Sequence, residues 1–169
     1  MASHDGAVRA MPQYKFTEQA GTRFRYLIDD YGFSVVDERY DPEAFGNSLI
    51  RFRSSDIDIV VVLDRGQVLI DISPYPMAQD YRFGLPSVVE FLAPEAGEPA
   101  YVFPETWENY YDMVDSQLER LARVLRQRCS SVLRGEFSDW EAMSNFRKKE
   151  AEEGYRKLTG SDPIELGPR

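Results

Sequence analysis

Apolar residues recur every three or four positions in two long parts of the chain. The first is residues 14–31, and Gly32 follows where a helix C-terminal cap is expected. The second is residues 105–134, which Gly135 ends. Each spacing places the apolar side chains on one face of a helix. The pattern therefore predicts an N-terminal helix and a long helix in the second half.

Two further helices are indicated by their boundary residues. Pro86 and Pro94 bracket a short apolar segment, which predicts a helix over residues 86–93. The run Ser138-Asp139-Trp140-Glu141 has the pattern of a capping box and predicts a final helix that reaches about Leu158. The long helix and this final helix are the two C-terminal helices of the predicted fold.

Between the first two helices, apolar and polar residues alternate with a period of two, which is typical of half-buried strands. The predicted strands are residues 33–40, 47–53, 56–64 and 67–73. Short links favour sequential antiparallel pairing, with Arg53 opposite Asp56 and Leu63 opposite Val68. That register places the following apolar residues on one core-facing side: Ile50, Phe52, Ile57, Ile59, Val61, Leu63, Val68, Ile70 and Ile72.

The other side of the predicted sheet carries charge. In this register Arg51 lies opposite Asp58, and Asp71 lies diagonal to it on the next strand. Two carboxylates could bind a metal or take part in acid–base chemistry. An adjacent arginine keeps carboxylates ionised, however, so a cross-strand salt-bridge ladder is the favoured interpretation.

The elements together predict an α+β fold: a four-stranded antiparallel meander with an N-terminal helix and two C-terminal helices packed on one face. The chain has 169 residues, enough to bury a core in one domain. We assign residues 14–160 to that domain, residues 1–13 to a disordered tail and residues 161–169 to a loose tail.

Charge is distributed unevenly along the chain. The formal net charge is -9, and between Arg82 and Arg120 eight acids occur without any Lys, Arg or His. Aromatic residues are frequent in the same part, and together these residue types are suited to binding a cationic partner. The predicted partner-binding residues are Glu95, Glu98, Tyr101, Phe103, Glu105, Glu108 and Asp112. The alternative is a solvated acidic face that favours the dipole of the long helix.

Aromatic residues near this stretch divide into two groups. Trp107 and Tyr111 fall on the apolar stripe of the long helix and are predicted to be core residues. Tyr75 and Tyr81, like Tyr101 and Phe103, lie in loops bounded by prolines, where they could serve as interface anchors or cover the edges of the sheet.

Candidate catalytic chemistry is sparse. The single histidine, His4, lies in the predicted tail, and the single cysteine, Cys129, lies beside the apolar stripe of the long helix. Nucleophilic catalysis that uses histidine as its base is therefore not expected, and Cys129 is interpreted as a core residue. No phosphate-binding glycine motif or metal-ligand spacing occurs, so no cofactor and no metal are expected.

Composition narrows the classes of function. A sequence pI of about 4.7 argues against a nucleic-acid or membrane-surface binder, which would need a cationic face. The chain has no run of 18 apolar residues and no signal-peptide pattern, so a cytoplasmic location is expected. The excess of arginine over lysine suggests a bacterial source.

The segment from Val132 to Trp140, Val-Leu-Arg-Gly-Glu-Phe-Ser-Asp-Trp, resembles a helix junction in small uncharacterised bacterial α+β proteins. Some of those proteins are immunity proteins of polymorphic toxin systems. Together with the acidic, aromatic stretch, the resemblance implies a non-enzymatic protein that neutralises a cationic partner such as a toxin. Two alternatives remain: a small-molecule-binding domain or weak enzyme with a pocket between the sheet and residues 74–104, and a nucleic-acid mimic.

Overall fold

The computed structural model describes residues 15–41, 43, 47–76, 81–96 and 110–160. Within them the chain forms an α+β domain with an antiparallel sheet, as predicted. The two predicted tails, residues 1–13 and 161–169, lie outside the described residues. The strands are β1 (Ser34–Asp41), β2 (Asn47–Arg53), β3 (Ile57–Asp64), β4 (Gln67–Pro74) and β5 (Phe83–Gly84).

The sheet has five strands rather than the predicted four, in the order β1-β2-β3-β4-β5. All neighbours pair antiparallel, and the bounds of the first four strands agree with the alternating pattern. The additional strand, β5, contributes two residues that pair with β4. Two residues are too few to show a period in the sequence.

The register of the β2–β3 hairpin differs from the prediction by two residues. Arg53 lies opposite Asp58 and not Asp56. The cause is the turn, in which the hydroxyl of Ser54 accepts hydrogen bonds from the backbone N–H of Asp56 (3.3 Å) and of Ile57 (3.1 Å). The turn residues are therefore Ser55 and Asp56, one position later than expected. The β3–β4 hairpin pairs Leu63 with Val68, as predicted.

The predicted core face is confirmed, because a slip of two residues leaves every side chain on its own side of the sheet. All nine predicted residues are buried, and Ile59 and Ile70 are fully so. The helices cover this face: the first contacts β2, and the long helix and the short helix after β5 contact β4. The opposite face stays partly exposed along β2, β3 and β4.

The predicted N-terminal helix is two helices, α1 (Phe16–Arg23) and α2 (Arg25–Tyr31). The break falls at Phe24, which leaves the helical conformation and buries its ring 6.1 Å from that of Phe52 on the sheet. Gly32 caps α2 in the left-handed conformation, as the sequence predicts.

The remaining helices are α3 (Leu85–Leu92), α4 (Tyr110–Arg128), α5 (Ser130–Leu133) and α6 (Trp140–Thr159), with a 3-10 turn at Pro94–Ala96. The predicted long helix is thus divided at Cys129, and residues 105–109 lie outside the described part. The predicted final helix is present, but its N-cap is Asp139 and not Ser138 of the predicted capping box, and Asp139 makes no side-chain capping hydrogen bond. Of the residues in α6, only Met143 is buried, and the helix packs against α3 more than against the sheet.

Polar contacts fix α4 against the rest of the domain. The side-chain amide of Gln117 accepts a hydrogen bond from Val68 N–H and donates one to the carbonyl of Gly66, each at 3.0 Å. The hydroxyl of Tyr26 donates to the carbonyl of Ala122 at 2.9 Å. These bonds hold α4 to the β3–β4 hairpin and to α2.

The segment that carries the resemblance forms a tight turn between α5 and α6. Gly135 is in the left-handed conformation, with φ of 70°, and a Cβ at this position would lie 3.1 Å from a carboxylate oxygen of Asp56. The glycine is therefore required by both backbone conformation and close packing against the β2–β3 turn. Folding therefore accounts for the glycine of the Leu-Arg-Gly-Glu pattern.

Candidate partner-binding surface

Two of the seven predicted partner-binding residues fall in the described part of the chain. Glu95 lies in the 3-10 turn after α3, and Asp112 lies in the first turn of α4; both are exposed. Glu98, Tyr101, Phe103, Glu105 and Glu108 lie outside the described residues. The continuity of the predicted acidic surface therefore stays a prediction, and its two ends are accessible to solvent.

Two tyrosines occupy the first turn of α4. Tyr110 and Tyr111 are each 38% exposed, and their rings meet edge to face with centroids 5.6 Å apart. The prediction that Tyr111 is a core residue is wrong: the apolar stripe of α4 instead buries Met113, Val114 and Leu118. The pair places aromatic surface next to exposed Asp112.

Two acids of the cation-free stretch have a structural partner instead. Arg23 on α1 contacts Asp115 at 2.6 Å and Glu119 at 3.8 Å. The bond to Asp115 is partly buried and ties α1 to α4. Folding therefore accounts for the position of Asp115, while Glu119 makes a longer contact and stays exposed.

The partly exposed face of the sheet carries a salt bridge that only partly matches the predicted ladder. Arg53 donates two hydrogen bonds to the carboxylate of Asp58, both at 3.2 Å. Arg51 approaches the same carboxylate diagonally at 3.8 Å, because the register shift places Val60 opposite it. Asp71 is separated from Arg51 by Val60 on the intervening strand and lies outside this ion pair. The carboxylate of Asp58 is therefore held between two arginines, an arrangement that suits structural pairing better than proton transfer.

The loop tyrosines near the sheet differ in their surroundings. Tyr75 is 39% exposed, with the guanidinium of Arg53 at 4.1 Å from its ring centroid. Tyr81 is half-buried and stacks on Phe83 of β5 at 6.2 Å. Tyr81 thus covers the end of the core, while Tyr75 stands at the margin of the partly exposed face.

Cys129 is a core residue, as predicted. Its side chain is buried at the junction of α4 and α5, and burial raises the pKa of its thiol to about 12. A thiol with this pKa is almost entirely protonated at neutral pH, although Arg126 and Arg128 are nearby in sequence. Among the residues that the structure describes, His, Cys, Asp and Glu side chains form no group suited to a metal ion.

We expect Cys129 to resist alkylation by iodoacetamide at pH 8 in the folded protein and to react readily in urea. The reason is that the folded thiol is both inaccessible and protonated. Mass spectrometry of the labelled protein measures the modified fraction with time. Rapid labelling without denaturant would contradict the assignment of Cys129 to the core.

Two carboxyl groups approach each other where α3 meets α6. Burial and a hydrogen bond with Glu90 raise the pKa of Glu150 above the usual range of a glutamic acid. Arg147 opposes this rise and also donates a hydrogen bond to the carbonyl of Arg82 at 2.8 Å. In the described part of the chain, this pair belongs to no group of side chains suited to a metal ion.

A shallow cavity of about 560 Å³ lies at the β1 side of the sheet. Its walls come from the ends of β1 and β2 and from the middle of β3: Glu38, Arg39, Tyr40, Asp41, Asn47, Ser48, Leu49 and Val62. The predicted pocket between the sheet and residues 74–104 would require residues 77–80 and 97–104, which lie outside the described part. The cavity at β1 was not foreseen from the sequence.

No protein family, curated protein or solved structure was found to match the chain. Of the helices in the described part, none combines the length and the apolar character needed to cross a membrane.

Proposed function

We propose that the protein is a non-enzymatic protein-binding domain that neutralises a basic protein partner, in the manner of an immunity protein. The observation that carries this proposal is the exposed tyrosine pair at the start of α4, Tyr110 and Tyr111, beside exposed Asp112. This pair lies within a long stretch of sequence, between Arg82 and Arg120, that contains acids and no cations.

The tyrosine pair has the properties of an interface anchor. Tyrosine is enriched among the residues that contribute most to binding, because it buries a large area and loses little conformational entropy. Tyr110 and Tyr111 are also held on a helix that Gln117 and Tyr26 fix to the domain. A surface that is ordered before binding pays a smaller entropic cost.

The charge distribution supports a basic partner. Glu95, Asp112 and Glu119 are exposed and belong to the cation-free stretch, and Asp115 is partly buried against Arg23. Exposed charge of one sign attracts an oppositely charged protein and speeds its association. An exposed acid that directly follows two exposed tyrosines, Asp112, therefore favours protein binding over a purely solvating role.

Growth rescue tests the proposed function. We expect the chain, when coexpressed in a bacterial host with a toxic basic protein encoded beside its gene, to restore growth and to copurify with that protein. The double variant Tyr110→Ala/Tyr111→Ala should lose rescue, because it removes both anchors. Tyr155→Ala is the matched control, since this tyrosine is similarly exposed but lies on α6.

Two outcomes separate the function from the site. Growth that stays inhibited in the presence of the wild-type chain would contradict neutralisation of this partner. Rescue by wild type and by the double variant alike would retain the function and reject the tyrosine pair. Circular dichroism spectra of the variants establish that loss of rescue is not loss of fold.

A further inference from the structure

The outer edge of the sheet is long and exposed. β1 has eight residues, of which seven are exposed, and it pairs with β2 along one side only. Its other side has no strand partner within the described part of the chain. In an antiparallel strand, alternate residues direct their backbone N–H and C=O groups away from the paired neighbour. The free side of β1 thus offers a row of hydrogen-bonding groups to an incoming strand.

β1 also carries exposed apolar side chains. Val36 is 45% exposed and Tyr40 is 54% exposed, while Val35 is also exposed. Proteins commonly protect an edge strand by charge, by a bulge or by a covering element. β1 has a register irregularity between Val35 and Asp37 and is charged, but its apolar residues remain accessible. The exposed side of β1 can therefore pair with a partner strand of complementary charge.

The charge of β1 favours a cationic strand. Asp37, Glu38 and Asp41 lie on β1 and Glu43 follows it, whereas the strand has one cation, Arg39, which already pairs with Asp37 at 2.8 Å. The open cavity of about 560 Å³ has two acids, Glu38 and Asp41, and one cation, Arg39, in its wall, with Leu49 and Val62 as apolar lining. A lysine or arginine has an apolar stem and a charged end that suit these two kinds of lining.

A second copy of the chain suits the edge less well. Two copies of β1 related by a two-fold axis can overlap nearly completely only when that axis passes by Asp37 or Glu38. The acid at the axis would then lie directly opposite its own copy, and like charges opposed across strands are destabilising. The net charge of -9 adds long-range repulsion between copies.

We propose that β1 is a docking edge for an extended, positively charged segment of a partner protein, which adds a sixth strand beside β1. Backbone hydrogen bonds supply the affinity, and the acids of β1 select the charge. This edge is at the opposite end of the strand order from β5, and its proposal does not depend on the tyrosine surface of α4.

Binding of designed peptides tests the proposal. The probe is a synthetic peptide that matches the eight residues of β1 in length and alternates lysine with valine. We expect it to bind and to shift the amide resonances of β1, and to slow amide hydrogen exchange along the outer side of that strand. The same peptide with alternate backbone amides methylated keeps its charge but cannot pair as a strand, so it should not bind. A peptide with glutamate in place of lysine should not bind either.

Protein variants supply the second arm. Glu38→Lys should weaken binding of the lysine–valine peptide about tenfold, because it reverses a charge on the docking edge. Glu152→Lys is the matched control, since this exposed glutamate lies on α6 and its reversal changes the net charge equally. Both variants change exposed residues, and circular dichroism compares their folds with the wild type.

Several results would overturn the proposal. Equal binding of the methylated peptide would show attraction by charge without strand addition. Absence of binding by the unmodified peptide, or equal loss from Glu38→Lys and Glu152→Lys, would also reject the docking edge. Dimerisation of the chain through β1, detected by sedimentation and by β1 amide protection without peptide, would assign the edge to a second copy. None of these results would alter the growth-rescue test of the α4 surface.

Discussion

Replacing Ile59 by alanine should lower the free energy of unfolding by about 2–4 kcal/mol, the range for large-to-small changes in a protein core. Ile59 is fully buried at the centre of the sheet, where it lies opposite Phe52 on β2 and Ile72 on β4. The change removes apolar contacts and leaves a cavity that its sheet neighbours on both sides can fill only in part. Urea denaturation followed by circular dichroism measures the loss.

The matched control is Val62→Ala on the same strand. Val62 faces the opposite side of β3 and is only partly buried, so its truncation should cost about 1 kcal/mol or less. Equal losses for the two variants would contradict the division of the sheet into a core face and a partly exposed face.

The sheet could be predicted from the sequence because its signal is redundant. Every second residue of β2, β3 and β4 is buried, and an error of two residues in register leaves that alternation unchanged. The pairing of charged residues across strands, in contrast, changes with any shift in register. The hydrogen bonds of Ser54 move the turn by one position, which exchanges Arg51 for Arg53 opposite Asp58. The hydrogen bonds of the Ser54 side chain therefore set the register of the charged residues, which the hydrophobic pattern leaves undetermined.

The breaks within the predicted helices arise from tertiary packing. Phe24 falls on the apolar stripe that predicts one continuous helix, yet its ring packs against Phe52, which is distant in sequence. Cys129 likewise interrupts α4 at a fully buried position. Helical periodicity identifies which residues face the core, but the backbone change that improves their packing depends on contacts that the sequence does not show.

The acidic stretch shows the same limit at the candidate site. Composition alone identified the absence of cations between Arg82 and Arg120. It could not show that Arg23, on α1, would reach Asp115 and Glu119. It also assigned Tyr111 to the core by spacing, although the buried stripe of α4 starts at Met113. Which acids of the stretch come within reach of Arg23 depends on how α1 and α4 pack.

Under the proposed function, aromatic and acidic residues should affect different rate constants of partner binding. Tyr110→Ala should mainly speed dissociation, by about 30-fold if the ring is a hot spot that contributes about 2 kcal/mol. Asp112→Lys should mainly slow association, because reversing an exposed charge weakens long-range attraction while the apolar contacts remain. Surface plasmon resonance with the basic protein that the chain neutralises in the growth assay measures both rate constants.

Salt concentration and a charge reversal on α6 distinguish a local effect of Asp112 on association from an effect of net charge. Association of the wild type should slow as salt rises, since the Debye length falls from about 30 Å at 0.01 M to about 8 Å at 0.15 M ionic strength. Asp112→Lys should reduce that dependence more than Glu152→Lys, which makes the same change in net charge on exposed α6. If Asp112→Lys and Glu152→Lys slow association equally, net charge alone attracts the partner and Asp112 has no local role. If Tyr110→Ala leaves dissociation unchanged, the partner binds elsewhere on the domain.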